Sequence, residues 1–175
     1  DGDTLTALAL QGKLAATSKA FALWYSGCDR VVTWGDLDAG GNSSQVSLKS
    51  VQQLQSTDYA FAAILADGSV VTWGDQSQGG DSSAVLGQLK EVVKVHASSY
   101  AFAAILAEGS LVTWGVQDSG GDSSAVRDQV RSPQQVQSTE SAFAAKLADG
   151  SVVTWGNVSF GGDSSAVQDQ LCSVQ

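Results

Sequence analysis

Ala60-Phe61-Ala62-Ala63-Ile64-Leu65-Ala66-Asp67-Gly68-Ser69-Val70-Val71-Thr72-Trp73-Gly74 is the stretch that decides the fold of this chain. Close copies run over 101–115 and 142–156, and a more divergent copy runs over 20–35. The tryptophans of the four copies, Trp34, Trp73, Trp114 and Trp155, lie 39, 41 and 41 residues apart. Self-similarity at a period of roughly 20–50 residues is typical of propellers, solenoids and other repeat arrays. We therefore predict four repeats in one domain, over approximately 8–46, 47–87, 88–128 and 129–169, with 170–175 beginning a further repeat.

Each copy has the pattern of a β-hairpin. Apolar residues run without alternation from Tyr59 to Ala66, which indicates a strand covered on both faces. Asp67-Gly68 is a dipeptide favoured in two-residue hairpin turns, in which both central residues have positive φ. The β-branched and aromatic segment Val70–Trp73 is typical of a returning strand.

A second repeated phrase follows each Trp-Gly after four variable residues. It reads Gly-Gly-Asp-Ser-Ser-Ala-Val at 79–85, 120–126 and 161–167, and Gly-Gly-Asn-Ser-Ser-Gln-Val at 40–46. The glycines permit a sharp turn, and apolar residues four apart, such as Val85 and Leu89, indicate a short helical turn. A third strand near 51–54, 92–95 and 134–136 completes the repeat, and Pro133 places it at a sheet edge because proline cannot donate to a ladder. The sequence thus predicts an all-β protein of four propeller-blade-like units, as a small closed propeller or an open arc.

Composition narrows the classes of partner. The 175 residues are 43% apolar and carry 18 acidic and 9 basic side chains, a formal net charge of −9. Such a surface repels phosphate backbones, so we expect no nucleic acid and a protein partner with a basic surface, with acidity for solubility alone as the alternative. No apolar run approaches the roughly 18 residues of a membrane span, so membrane insertion is not expected. The chain contains no methionine, which favours N-terminal processing and an organellar or secreted location, or a piece of a longer polypeptide.

Catalytic chemistry has little support in this sequence. The lone histidine, His96, takes a position that Gln55 and Gln137 hold in sister copies. One histidine and two distant cysteines make neither a metal site nor a nucleophile constellation. We therefore expect no catalytic residue, no metal and no cofactor, and we predict that the protein is not an enzyme.

Differences between the copies identify candidate binding residues. The first copy replaces the Asp-Gly turn and carries Trp24 and Tyr25, and Trp24 falls in a slot that isoleucine holds in the two middle copies. The last copy places Lys146 in that slot, and Phe160 is the most conspicuous apolar residue of the variable loops. Terminal repeats often carry atypical capping residues, so these side chains either cap the array or bind a partner. The variable loops, at 36–39, 75–78, 116–119 and 157–160, form a candidate rim.

The two cysteines, Cys28 and Cys172, lie in the first and last copies. If the array closes into a ring, a disulfide between them would stabilise it by about 4–5 kcal/mol and indicate an oxidising compartment. Two independent buried thiols are the alternative.

Asp-Gly-Ser-Val-Val-Thr-Trp-Gly, at 67–74, resembles the core of the regulator-of-chromosome-condensation repeat. The resemblance covers nearly the whole chain, from about Leu14. The sequence of the repeats looks most like that of arrays predicted in photosynthetic protists. The resemblance implies blades like those of a seven-bladed propeller. It implies binding through a protein-facing surface, as in nucleotide exchange on a small GTPase, ubiquitin-ligase docking or β-lactamase inhibition. The repeats here are shorter than usual and no exchange or ligase element is recognisable, so those activities do not transfer.

From these features we expect a non-catalytic scaffold protein, an accessory or stabilising subunit docked on a larger complex. The resemblance to protist arrays points to an organellar photosynthetic assembly in the plastid or thylakoid lumen. Two alternatives stay open: a soluble enzyme inhibitor or regulator acting through a propeller face, and a carbohydrate-binding module using exposed Trp24, Tyr25 and Phe160.

Overall fold

A computed structural model describes residues 12–25 and 29–171, which form four antiparallel sheets of three strands each. We call these sheets blades 1 to 4, and their all-β architecture confirms the predicted fold class. Their strands are β1 (Gly12–Ala16), β2 (Ala20–Tyr25) and β3 (Val31–Gly35); β4 (Val51–Ser56), β5 (Ala60–Leu65) and β6 (Val70–Gly74); β7 (Val92–Ala97), β8 (Ala101–Leu106) and β9 (Leu111–Gly115); and β10 (Gln135–Ser138), β11 (Ala142–Lys146) and β12 (Val152–Gly156).

The extra strand of each blade precedes the hairpin with which it pairs. Spatial order follows chain order in every sheet, so β1, β4, β7 and β10 are edge strands. The edge position inferred from Pro133 is therefore confirmed for β10. These first strands contact the first strand of the next blade, β1 with β4, β4 with β7 and β7 with β10. Consecutive blades thus stand side by side in chain order.

The hairpin turn differs from the two-residue turn that Asp67-Gly68 predicts. The Gly68 N–H donates to the carbonyl of Leu65 at 3.0 Å, and the Leu65 N–H donates to the carbonyl of Ser69 at 2.9 Å. Gly68 has φ +77°, but Asp67 is not among the non-glycine residues with positive φ. The loop is therefore a three-residue turn that ends in a left-handed glycine. Asp67 instead accepts hydrogen bonds from the hydroxyl and N–H of Ser69, which lower the pKa of its carboxyl.

The continuous apolar run of β5 is buried on both faces, as predicted, because the strand lies between two neighbouring blades. Phe61 and Ala63 pack with residues of blade 1, including Ala22. Ala60 and Ala62, on the opposite face, pack with residues of blade 3. Small alanines suit this position because a strand covered on both faces allows little room between sheets.

Short helical turns follow each hairpin. They lie at Leu37–Gly41, Gln76–Gln78, Ser83–Val85, Gln117–Ser119, Val158–Phe160 and Ser165–Gln170. The Gly-Gly-Asp-Ser-Ser phrase is held locally: the carboxylate of Asp81 accepts from the Ser83 N–H at 2.8 Å, and this bond lowers the pKa of Asp81. Its structural role is thus the turn predicted from the sequence.

A repeated aromatic contact joins each blade to the one before it. Phe61 stacks on Trp73 with ring centroids 5.1 Å apart, and the Trp73 Nε1–H donates to the carbonyl of Gly40 at 3.0 Å. The same bond joins Trp114 to Gly79 at 3.1 Å and Trp155 to Gly120 at 3.2 Å. These bonds and stacks recur at all three interfaces between consecutive blades.

The four blades form an open arc. On blade 1 the Phe21–Trp34 stack is 42% and 45% exposed, whereas the equivalent pairs of the other blades are buried. On blade 4 a Cβ built at Gly161 would meet no atom within 4 Å, although the equivalent glycines contact the next phenylalanine. The aromatic contact that would close blade 4 on blade 1 is therefore absent from the described part of the chain.

Candidate protein-interaction surface

The rim consists of the four turns that follow Trp-Gly, residues 36–39, 75–78, 116–119 and 157–160. Each turn is closed by the same backbone hydrogen bond, from the N–H of Gly41, Gly80, Gly121 or Gly162 to the carbonyl of Asp36, Asp75, Val116 or Asn157, at 2.7–2.9 Å. A hydroxyl provides a second tie in every blade. It donates to the last rim carbonyl, from Thr17 to Ala39, Thr57 to Gln78, Ser98 to Ser119 and Thr139 to Phe160.

Side chains on this constant frame vary from blade to blade. The second rim position holds Leu37, Gln76, Gln117 and Val158, all of them exposed. Leu37 and Val158, on the two outer blades, are large apolar side chains in water. A fixed backbone with variable exposed side chains is the usual construction of a binding surface.

Trp24 is not a free docking side chain, which corrects the expectation from the sequence. It is only 5% exposed and packs in the cluster between blades 1 and 2 with Ala22, Val51 and Leu54. Its indole N–H is buried and has no hydrogen-bond partner among residues 12–25 and 29–171. The slot was identified correctly, since Trp24 lies opposite Val31 as Ile64 lies opposite Val70, but the slot faces the next blade.

The other three candidates lie elsewhere. Tyr25 is half-buried and, as the next residue on β2, points to the opposite face from Trp24. Lys146 is half-buried on blade 4, in the slot opposite Val152. Phe160 is exposed on the rim of blade 4. Tyr25 and Lys146 thus belong to opposite ends of the arc, and the four predicted residues do not form one site.

Reasoning from the sequence missed the exposed aromatic pair of blade 1, Phe21 and Trp34. These residues repeat in every copy, and a repeated residue type does not show in which copy it is exposed. The only available signal is their position in the first copy, because the face that they occupy is covered elsewhere by the preceding blade. With Trp24 buried, the predicted aromatic trio for a carbohydrate does not assemble at the surface.

Other predicted features add no site to this surface. Cys28 and Cys172 lie outside the described residues, so both alternatives, a disulfide between them and two independent thiols, stay predictions. Within 12–25 and 29–171, no group of three or more His, Cys, Asp or Glu side chains is arranged to hold a metal ion. In the same part of the chain, no helix has the length and apolar character needed to cross a bilayer.

His96 lies on β7, two residues after Lys94 in the sequence of that strand. Burial, followed by the positive charge of Lys94, lowers the pKa of His96 from 6.5 to about 4. The folded protein therefore keeps this imidazole neutral over a pH range in which the unfolded chain protonates it. Its contribution to stability is present above pH 6.5 and is lost as the pH falls towards about 4.

We expect His96→Gln, which installs the residue of the sister strands, to reduce this acid sensitivity. Between about pH 7 and pH 4.5 the wild type should lose roughly 1–2 kcal/mol more of its free energy of unfolding than the variant, allowing for the partial exposure of the imidazole. Urea unfolding at the two pH values measures the difference. Both proteins contain the same titrating aspartates, whose contributions to the pH dependence cancel in the comparison. An equal loss of unfolding free energy in the two proteins would therefore contradict the lowered pKa of His96.

Comparison with known structures defines the fold. No protein-family model matches the sequence, and no curated protein matches it. Prp20p of Saccharomyces cerevisiae, described with its binding to Gsp1p and histones, is similar over 82% of this chain and 43% of its own, with 14% identity and a TM-score of 0.55. Human WBSCR16 is similar over 85% and 48%, with 15% identity and a TM-score of 0.59. The ectodomain of the Physcomitrella patens receptor kinase CR4 is similar over 86% and 42%, with 16% identity and a TM-score of 0.58.

The chain spans less than half the length of each of these solved proteins. Prp20 is the yeast RCC1, and it has also been crystallised with Kap60 bound. The protein therefore has the fold of an RCC1-like β-propeller repeat array.

Proposed function

We propose that this protein is a non-catalytic scaffold that binds a protein partner through its rim, as an accessory or stabilising subunit of a larger complex. The observation that carries the proposal is the rim itself. Four turns have the same backbone hydrogen bonds but different exposed side chains, and the outer two present Leu37 and Val158 to solvent. Loops on a rigid repeat scaffold are a common means of protein recognition.

Likeness to a protein that binds proteins adds support. Prp20p is described with its binding to Gsp1p and histones, and it shares the blade architecture of this chain. At 14% identity that likeness concerns the fold, so the partner of this protein is a separate question. The formal net charge of −9 favours a partner with a basic surface and an association that weakens as salt increases.

The finer part of the proposal is the setting. The resemblance of the repeat sequence to arrays of photosynthetic protists favours an organellar photosynthetic assembly. Native fractionation of plastids tests this setting: a stoichiometric complex with photosynthetic subunits supports it, and recovery only as free protein contradicts it.

Charged substitutions on the rim test the binding surface. We expect Leu37→Asp and Val158→Asp each to weaken the captured complex about tenfold or more, because a buried charge replaces an apolar contact. Quantitative affinity capture of the tagged full chain measures this loss, and cross-linking identifies the partner residues that face the rim. Leu86→Asp is the matched control, since Leu86 is an exposed apolar residue that belongs to none of the four rim turns.

Several results would contradict the proposal. If Leu86→Asp weakens the captured complex as much as the two rim substitutions do, the rim is not the specific binding surface. A partner enzyme whose activity falls reversibly on binding would favour the inhibitor alternative. Retention on glycans, with no stable protein complex, would favour the carbohydrate-binding alternative.

A further inference from the structure

The two ends of the arc carry the two halves of the interface that joins consecutive blades. We call the exposed residues of blade 1, Leu14, Phe21, Val32 and Trp34, the head face. We call the exposed or half-buried residues of blade 4, Ala144, Lys146, Gly161 and Val167, the tail face. Each face corresponds, by its position in the repeat, to surfaces that pack against a neighbouring blade at the three internal interfaces.

The head face is an uncovered copy of a buried surface. Leu14 lies opposite Leu23 in its blade, as Val95 lies opposite Ala104 in blade 3. Val95 is fully buried, and Leu14 is exposed. The Phe21–Trp34 rings stack at 5.3 Å, like those of the other blades, so the face is already formed without a neighbour.

The tail face has the matching shape. Gly161 has φ +96°, close to the +94° of Gly120, so its turn is formed in the same way. Beside Gly120, a Cβ would come within 2.5 Å of the Phe143 ring, whereas beside Gly161 it would meet nothing within 4 Å. The carbonyl of Gly120 accepts from Trp155, and no such donor reaches the Gly161 carbonyl among the described residues.

A series of backbone hydrogen bonds also joins consecutive blades, and its two terminal groups lie on blades 1 and 4. The N–H of Ser18 donates to the carbonyl of Asp58 at 2.9 Å, that of Asp58 to Ser99 at 2.9 Å, and that of Ser99 to Glu140 at 3.0 Å. The N–H of Glu140 and the carbonyl of Ser18 occupy the next positions of this series at its two ends. In the described part of the chain, neither group makes the equivalent hydrogen bond. They lie on blade 4 and blade 1.

We propose that the head face of one copy of this chain binds the tail face of a second copy. The Trp34 Nε1–H would donate to the Gly161 carbonyl of the neighbour, and the Glu140 N–H of that neighbour would donate to Ser18. A second copy is the occupant that the structure favours, because one chain supplies both halves of an interface that it already forms three times. Lys146 is compatible with this contact, since its aliphatic stem can cover apolar surface while the amine reaches water.

This contact is head-to-tail, so it generates either a closed ring, the smallest of which contains two copies joined by two such contacts, or an open filament. The proposal does not rest on the rim or on any partner, and the purified full chain is sufficient to test it. Light scattering coupled to size exclusion, over a dilution series, measures the mass. We expect the wild type to form oligomers that dissociate on dilution.

Two complementary variants make the test specific. Trp34→Ala removes the head face and Val167→Asp the tail face, and each should weaken association roughly 30-fold or more, the loss typical of a central interface residue. Each variant keeps one intact face, so an equimolar mixture should form a dimer and nothing larger. Both side chains are exposed, and circular dichroism checks that each variant is folded.

Leu37→Asp and Val158→Asp are the controls, because they place the same charge on the rim and leave both faces intact. They should associate like the wild type, even where they lose a protein partner. A wild type that stays monomeric throughout the series overturns the proposal, whatever else covers Trp34. A mixture of the two variants that stays monomeric overturns it as well.

Discussion

Phe102→Ala is expected to reduce the free energy of unfolding by about 3–5 kcal/mol, the usual cost of emptying a buried phenylalanine site. The Phe102 ring is fully buried, stacks on Trp114 at 5.2 Å and covers Gly79 of the preceding blade. Its loss removes the aromatic stack and leaves a cavity between blades 2 and 3. Urea or guanidinium unfolding, monitored by circular dichroism, measures the change.

Phe21→Ala is the matched control, because it makes the same substitution at the same repeat position. Phe21 is 42% exposed, and within the described residues no blade covers it, so the expected loss is about 1 kcal/mol or less. Both proteins should be compared at a concentration low enough that association between copies does not contribute. Equal losses in the two variants would mean that the buried and exposed faces are energetically alike, contrary to the open arc.

Gly120→Ala is expected to cost about 2–5 kcal/mol, from two sources that a second variant separates. One is the strain of alanine at φ +94°, roughly 1–2 kcal/mol. The other is a clash, because the new Cβ would come within 2.5 Å of the Phe143 ring, and crowding of this kind costs roughly 1–3 kcal/mol. Phe143 cannot move aside freely, since it is buried against Trp155.

Gly161→Ala introduces the same strain without the clash. Its φ is +96°, and the new Cβ would meet no atom within 4 Å. The difference between the two variants in denaturant unfolding therefore reports the inter-blade contact alone, and we expect about 1–3 kcal/mol. A Gly161 variant as unstable as the Gly120 variant would show that backbone strain accounts for the whole effect.

Much of the fold could be predicted because local and repeated signals agree. The run from Tyr59 to Ala66 predicted a strand covered on both faces, and β5 lies between two blades. Pro133 predicted an edge strand because its missing N–H is a local property. The turn at Asp67-Gly68 was predicted less well, because the dipeptide fits both a two-residue and a three-residue loop, and only the hydrogen bonds around Leu65 distinguish them.

The candidate site was harder to predict, because the sequence shows where residue types differ between copies but not which of those residues are buried. Trp24 was recognised as filling the isoleucine slot, but the sequence did not show that this slot faces the next blade. Lys146 occupies the same slot at the other end of the arc, where it is only half-buried. Phe160 was placed on a variable loop and is exposed there, since that loop projects from the sheet by local geometry alone.

The sequence by itself determined the strands, the hairpins, the number of repeats and the rim turns, because each depends on residues close together in the chain. Only the tertiary structure decided at which of the equivalent repeat positions a side chain is buried. Phe21 and Trp34 are the same residue types as Phe61 and Trp73. The side chains of the first pair are partly exposed to solvent, whereas those of the second pair are buried and pack against Gly40. The physical reason is that a blade covers its aromatic face with a neighbour, and a residue in a repeat is buried only where that neighbour exists.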